Sequence, residues 1–457
     1  MIAIIVSALW GVIMMFSSIF FKKKSTAVTI AVIGIIALIA VNFLEYYGFL
    51  YWNVDLKGML KFTQFSQVFN SIAFICTLLY FILNSKEFEE VGGDVYEYFA
   101  LIFFILCGIC IAASFNTLLM LFLGIEIISI PLYILAGSDK RNLKSNEASL
   151  KYFLMGSFST GIMLMGIVFL YGATGTFYIE GLNFGANSLT PMVAIGLVLL
   201  LISLSFKVSA APFHFWTPDV YDGSPTVFTA FMATVVKAAS FIAFLRLFDN
   251  AFGKMHEQWQ LLIAFITAAT LFIGNITAVF QQSVKRMLSY SSIAQAGFMM
   301  LSLFALNTFA REGLILYAAA YSLASIGCFA VLIKLKDFSL EGFNGLRKTQ
   351  PFLALMNTIF LLSLTGIPLT AGFMSKYYML IAAAKNGHRQ WLVIFAVLMA
   401  AISAYYYFRV IQAMYFKDGN PEVKPITPVF KATLLVTAIL VILLGIFPNL
   451  LIKGLYF

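Results

Sequence analysis

Long apolar stretches recur along the whole chain and are separated by short polar connections. Each stretch is about long enough to cross a hydrocarbon core of roughly 30 Å as a helix. The pattern therefore predicts an all-α integral membrane protein with about fourteen transmembrane helices. The predicted spans are 2–21, 27–45, 65–84, 97–115, 117–137, 149–171, 191–221, 226–248, 258–280, 287–306, 312–333, 351–384, 390–416 and 430–452.

The composition supports this interpretation, since 61% of the residues are hydrophobic and only 11% are charged. An ordinary soluble domain has about 25% charged residues, so a soluble globule is excluded. The net charge of +9 comes from basic residues in short inter-helix connections, not from one patch of the kind that binds nucleic acid. Basic residues are more frequent in the odd-numbered connections. This bias predicts that these connections are cytoplasmic and that both termini lie outside.

Two predicted spans are too long for a simple crossing, and both contain a proline-bearing break. The break at 209–212 reads SAAP, and the break at 365–372 reads TGIPLTAG. A proline cannot donate to the helix ladder, so such breaks free backbone groups that protein or water must satisfy at membrane depth. We therefore expect helices 7 and 12 to be discontinuous, as in ion transporters.

The two breaks lie five spans apart, so an odd number of crossings separates them. This spacing predicts two five-helix repeats inserted in opposite senses, as in many transporters. We expect one transmembrane domain over 1–457, with helices 1–3 in 1–96, the first repeat in 97–248, the second in 258–416 and helix 14 in 430–457.

Glu126 is the single acidic residue at the centre of a predicted span. A charge there costs about 2.5–3.5 kcal/mol on insertion scales, so an intramembrane carboxylate indicates a functional site. The alternative is a protonated glutamate that hydrogen-bonds across helices for packing.

Lys207, Lys237 and Lys376 also fall deep within spans. Burial disfavours the ammonium form of a lysine, which makes it able to release and regain a proton near neutral pH. Ion pairs that only lock helices together are the alternative. However, one mid-membrane acid cannot pair with three lysines, and buried pairs are weak stabilisers. We therefore predict a proton relay.

Further candidates have two explanations each. Lys151 and Arg409 lie nearer helix ends, where snorkelling accounts for them, although Lys151 is kept as an auxiliary site residue. His214 follows the first break and could transfer protons or hydrogen-bond the freed backbone. The lone C-x-x-C at 107–110 has no second cysteine pair, so no metal or cofactor site is predicted. Hydroxyl and amide groups in span 10 could hold a water file or bond neighbouring helices: Ser289, Tyr290, Ser291, Ser292 and Gln295.

Several motifs resemble the subunit N family of proton-pumping NADH:quinone oxidoreductase, respiratory complex I. They are FLGIEIISIPL at 122–132, KYFL at 151–154, YGATGT at 171–176, FKVSAAPFHFWTPDVYDGSPT at 206–226, KRMLSYSSIA at 285–294 and GIPLTAGFMSK at 366–376. Mrp-type sodium/proton antiporter subunits share the fold and are the alternative. At Gln295, relatives often carry a histidine. An amide cannot bind and release a proton, so any path through this point must run by water.

The resemblance implies an antiporter-like translocase subunit of the bacterial inner membrane that moves protons outward without redox chemistry of its own. It implies that Glu126 pairs with Lys207, that Lys237 is the central and Lys376 the terminal relay lysine, and that Lys151 is auxiliary. Flavin, iron–sulfur clusters and quinone would belong to partner subunits. The partners would be the other membrane-arm subunits and the lipid bilayer.

Overall fold

The computed structural model describes residues 1–50, 56–92, 94–182, 184–185, 189–387 and 389–456. These residues form helices and isolated β-bridges but no strand. The twenty α-helices of the described residues are α1 (Ile2–Phe20), α2 (Lys24–Tyr46), α3 (Gln64–Leu83), α4 (Glu87–Val91), α5 (Val95–Ser114), α6 (Leu118–Ala136), α7 (Leu143–Thr174), α8 (Pro191–Lys207), α9 (Trp216–Gly223), α10 (Thr226–Phe231), α11 (Lys237–Phe252), α12 (His256–Val279), α13 (Val284–Ala305), α14 (Thr308–Lys334), α15 (Leu346–Thr349), α16 (Pro351–Thr365), α17 (Ala371–Lys385), α18 (Trp391–Phe416), α19 (Pro428–Ile446) and α20 (Asn449–Ile452).

The helices have the length and hydropathy of membrane spans. In the described part of the chain, eleven are long and apolar enough to cross a bilayer, and α8 and α16 are shorter apolar helices. The prediction of an all-α protein with many spans is therefore confirmed. The total of fourteen spans and the inverted repeat remain predictions.

Both predicted helix interruptions are present. The first separates α8 from α9, with the chain leaving the helix after Lys207 and re-entering it at Trp216. The second separates α16 from α17, where Gly366 has a φ of +90° and ends α16 in the left-handed conformation that favours glycine. Each break contains a proline, which removes one backbone donor from the ladder.

Two helix ends differ from the prediction by six residues. The predicted span 149–171 begins at Leu143 in the structure, because the side chain of Asn142 accepts a hydrogen bond from the Lys144 amide and starts α7 earlier. The predicted span 430–452 corresponds to α19, which ends at Ile446. The following Phe447 precedes Pro448, and a residue before proline is disfavoured in helical conformation.

Burial is uneven across the bundle and identifies its centre. The most apolar stretch of α14 is completely buried, and α13 is almost as buried, whereas α1 and α2 are about one-third buried or less. α14 packs against α3, α10, α16, α17 and α19. Polar side chains on α13 and α14 are therefore shielded from lipid by other helices.

Candidate functional site

Glu126 on α6 and Lys207 at the end of α8 lie side by side. The Lys207 Nζ is 3.9 Å from the Glu126 Oε1. The Thr160 hydroxyl of α7 donates to the same carboxylate oxygen at 2.7 Å, and Lys207 donates to that hydroxyl at 3.4 Å. Lys207 also donates to the Ser129 hydroxyl at 2.9 Å. The two charges are thus joined directly and through a bridging hydroxyl.

Lys237 lies at a change from π-helix to α-helix. A π-helix, Met232–Val236, separates α10 from α11, and Lys237 is the first residue after it. Such segments often occur at functional sites. The buried Nζ donates to the Ser292 carbonyl at 3.1 Å and to the Ser292 hydroxyl at 2.9 Å. Its hydrogen-bond acceptors in the described residues are neutral oxygens on α13.

Lys376 on α17 turns back towards the break that precedes its helix. Its Nζ donates to the carbonyls of Leu364 at 2.8 Å and Thr365 at 2.9 Å, which are freed at the end of α16. The carbonyl end of a helix carries partial negative charge, so it stabilises the ammonium form without a carboxylate. Lys376 also lies 4.7 Å from the centre of the Phe298 ring.

Gln295 on α13 belongs to a hydrogen-bonded network that shares an acceptor with Lys376. Its amide nitrogen donates to the Leu364 carbonyl at 2.9 Å, which Lys376 also uses, and to the Tyr407 hydroxyl at 3.1 Å. The Tyr317 hydroxyl donates to its amide oxygen. Both ends of the amide are therefore engaged.

A small cavity adjoins Lys376. Its volume is about 10 Å³, which is about enough for one water molecule. The lining includes the side chains of Gln295, Tyr317, Tyr321 and Ser375. Six of the nine residues that line it have polar side chains.

A larger cavity of about 610 Å³ opens on the face formed by odd-numbered connections. Lys285 lines it and donates to the carbonyls of Asp222 and Ser224, both at 2.7 Å, at the end of α9. The sequence interpretation assigned Lys285 to a connection, but the residue is buried in α13. On the cavity wall, hydrogen bonds from the Ser339 backbone and hydroxyl hold the pKa of Asp337 below its usual range.

The sequence interpretation also missed a buried ion pair. Lys334 at the end of α14 contacts Glu87 of α4, and each side chain is 4% exposed. The second carboxylate oxygen of Glu87 is buried without a partner. The two residues are 247 positions apart, and no local pattern links them. Arg246 of α11, another buried cation, donates to the Phe115 carbonyl at 3.1 Å.

The remaining candidates have partners of their own. Lys151 pairs with Glu147 at 2.7 Å and with Asp219 at 3.0 Å, and 41% of its side chain is exposed. His214 is buried beside the first break, interacts with the Pro212 backbone and has an unpartnered Nδ1. Arg409 donates to the Val279 carbonyl.

Metal-binding groups are not assembled in the described residues, where no three His, Cys, Asp or Glu side chains are placed to hold an ion. The four cysteines are free and buried within helices.

The comparisons with known proteins concern nearly the whole chain. The family described as NADH:quinone oxidoreductase/Mrp antiporter, TM, matches residues 115–403, which is more than half of the sequence. A protein named NADH-quinone oxidoreductase subunit N from Cytophaga hutchinsonii is 41% identical and covers 99% of this chain and 98% of its own length. The chain belongs to the subunit N family. A second family member, from Flavobacterium psychrophilum, is 38% identical over 98% of this chain and 99% of its own length.

Solved structures agree with the family assignment. A chain of respiratory complex I from Thermus thermophilus with bound aureothin is 33% identical and has a TM-score of 0.86, covering 99% of this chain and 98% of its own length. A chain of the Mrp complex from Dietzia sp. DQ12-45-1b has a TM-score of 0.87 at 18% identity, covering 99% of this chain and 95% of its own length. At that identity the likeness concerns the fold alone.

Proposed function

We propose that this subunit N family member translocates protons from the cytoplasm to the outside as a membrane-arm subunit of NADH:quinone oxidoreductase. The observation that carries the proposal is the set of ionisable side chains within the helix bundle, namely the half-buried Glu126–Lys207 pair and the buried Lys237 and Lys376. Intramembrane ionisable groups mark proton and ion pathways. The relatives' names supply the redox reaction to which transport is coupled.

The Glu126–Lys207 pair acts as the switch of the relay. While the carboxylate is ionised and near, it stabilises the ammonium form of Lys207. When the carboxylate moves away or is neutralised, the cost of desolvation dominates and the proton is passed on. Thr160 keeps both partners within reach, because its hydroxyl contacts each of them.

Lys237 and Lys376 receive and release the proton in turn. Their acceptors are neutral oxygens, which satisfy the ammonium form but do not hold it as strongly as a carboxylate would. A lysine with such partners changes charge at lower cost than one in a buried ion pair. Lys151 and His214 take auxiliary positions beside this path.

The subunit itself carries out no redox chemistry in this proposal. Flavin, iron–sulfur clusters and quinone are carried by partner subunits, which include a homologous antiporter-like subunit and small membrane subunits. The chain lies in the bacterial inner membrane with both termini on the periplasmic side, as the basic residues of its connections favour. The 1–457 domain comprises helices 1–3, two inverted five-helix repeats and helix 14.

A Mrp-type sodium/proton antiporter subunit is the alternative, because the description of the matching family also names the Mrp antiporter. The two functions differ in their energy source. The proposed subunit pumps only when NADH and quinone turn over, whereas an antiporter subunit exchanges protons when a sodium gradient is applied. Genes for quinone-reductase subunits beside the gene of this chain would favour the first function.

The test replaces Lys237 with alanine in the complete complex in reconstituted vesicles. We expect NADH-driven acidification and coupled quinone reduction to fall at least about tenfold, since general acid–base groups typically contribute 10²–10⁴. Lys431→Ala is the control, because that lysine is exposed on α19. Assembly is checked for both. Normal pumping by the assembled Lys237→Ala complex would remove Lys237 from the pathway.

A further inference from the structure

A pocket on the face formed by the even-numbered connections lies outside the proposed relay. Its volume is about 560 Å³, which is within the range of small-ligand sites. Its lining residues lie where helices begin or end: Thr63 precedes α3, Phe115 follows α5, and Arg311 is in the first turn of α14. Helices that cross a bilayer end near the lipid headgroups, so the pocket lies at that level. The bias of basic residues predicts that this face is outside.

Backbone contacts between connections hold the wall of this pocket together. One isolated β-bridge joins Leu60 to Phe115, and a second joins Thr117 to Tyr178. The segment before α3 is thereby joined to the segment between α5 and α6, and that segment is joined to the one after α7. The pocket is therefore formed by the fold of the chain itself.

The charges that line the pocket do not balance. Lys61 forms an ion pair with Glu180, in which the Nζ–Oε1 distance is 3.1 Å. Arg311 donates two hydrogen bonds to the Asp249 carboxylate, at 2.8 Å and 3.0 Å. Both lining carboxylates are thus engaged by a cation. Arg246 is the third cation of the described lining, and no carboxylate is left for it.

Arg246 has a guanidinium group that is only partly satisfied. Its Nη2 donates to the Phe115 carbonyl at 3.1 Å, and its guanidinium carbon lies 5.2 Å from the centre of the Phe115 ring. Its Nη1 is buried and has no hydrogen-bond partner among the described residues. A partly buried charge without a counter-ion is costly. Because a guanidinium is planar and its charge is delocalised, it matches a phosphate group well.

We propose that this pocket binds the phosphate of an anionic phospholipid and that Arg246 holds this phosphate. A phosphate diester carries one negative charge, which balances the one uncompensated cation. Phosphatidylglycerol fits this requirement, since the rest of its headgroup is uncharged. The ammonium of phosphatidylethanolamine would find both lining carboxylates already paired. Phe65, Ile179 and Leu245 add apolar wall for the glycerol and the first acyl carbons, which a free phosphate does not need.

The first test uses the complete complex, purified in detergent and depleted of lipid, and a phosphatidylglycerol that carries a photoactivatable diazirine beside its glycerol. We expect cross-links to Phe65 and Leu245, mapped by mass spectrometry of the digested subunit. Unlabelled phosphatidylglycerol should remove these cross-links, whereas phosphatidylcholine at the same concentration should not. Cross-links that avoid the pocket, or equal competition by phosphatidylcholine, would overturn the proposal.

A second test concerns the guanidinium. In Arg246→Gln we expect the phosphatidylglycerol concentration for half-maximal cross-linking to rise at least about tenfold, because hydrogen bonds to a charged group are lost. Arg409→Gln is the matched control, since Arg409 also donates to a backbone carbonyl, that of Val279, but does not line the pocket. Arg246→Lys keeps the charge without the planar fork and should give a smaller rise. It replaces Arg246→Gln if that variant does not assemble. An unchanged concentration in the assembled variant, or an equal rise in Arg409→Gln, would contradict the assignment.

Two other occupants give different results. Inorganic phosphate that competes as well as unlabelled phosphatidylglycerol would show that a free anion fills the pocket, and the lipid assignment would be wrong. A carboxylate of a neighbouring subunit would close the pocket to lipid, so the complete complex would show no cross-links there. The lipid site is independent of the lysine relay, and Lys237→Ala should cross-link like the wild type.

Discussion

The Glu126–Lys207 pair allows a quantitative test of the switch. Two variants, Glu126→Gln and Lys207→Ala, each remove one charge, and the double variant removes both. If the pair works as a unit, either single change already breaks it. The double variant should then pump no worse than the more damaged single variant, so the two losses are non-additive.

The structure gives the size of the expected coupling. Opposite charges about 4 Å apart interact by about 4 kcal/mol at an effective dielectric constant of about 20. The Nζ–Oε1 distance is 3.9 Å, but 21% of the Glu126 side chain is exposed, which lets water screen the interaction. We therefore expect a coupling of roughly 1–3 kcal/mol, a factor of about 5–150 in rate.

The assay measures the initial rate of NADH-driven acidification in vesicles that contain the purified complex, with each rate divided by the amount of assembled complex. Quinone reduction is measured in parallel, with and without an uncoupler. Additive losses in the double variant, or full pumping in Glu126→Gln, would show that this pair is not the switch.

Three further variants test other parts of the site. Lys376→Arg keeps the charge but should lose most proton pumping, because a guanidinium does not deprotonate in proteins; a wild-type rate would mean that fixed charge suffices. Glu87→Gln leaves Lys334 buried without its counter-charge, so we expect about 3–5 kcal/mol of destabilisation, measured as a lower melting temperature in detergent. Adding Lys334→Met should recover most of this stability, and no recovery would refute the pairing argument. Gly372→Ala would place a methyl group 1.8 Å from a carbonyl oxygen of α16 and should lower the yield of assembled subunit. Gly161→Ala is the control, because its methyl group meets nothing within 4 Å. Equal yields of the two variants would contradict the predicted clash.

The sequence predicts the parts of the fold that depend on local pattern. Apolar length predicts the spans, and the prolines with their small neighbours predict both breaks, because these effects act within one segment of chain. Glu126 and Lys207 stand out for the same reason, since a charge in an apolar run is visible without a structure. Their meeting followed from the rule that such charges face the bundle interior.

The remaining features depend on how distant segments pack. Glu87 and Lys334 look like ordinary residues of connections, and only the docking of α4 against α14 buries them. Lys285 becomes buried because the end of α9 folds over it. Tyr321 is one of many aromatic residues in apolar runs, and its place on the wall of the small cavity depends on how α14 packs against the other helices.

The enclosure of α14 has a consequence for biogenesis. This helix carries tyrosines and serines on a face that the bundle covers, and α16, α17 and α19 all follow it in the chain. A nascent chain must therefore insert α14 before these three helices of its surroundings have been synthesised. Until α19 enters the bilayer, lipid tails have access to polar groups that the finished bundle encloses. A truncated or frameshifted product would keep that surface open, which gives membrane quality-control proteases a physical mark of incomplete synthesis.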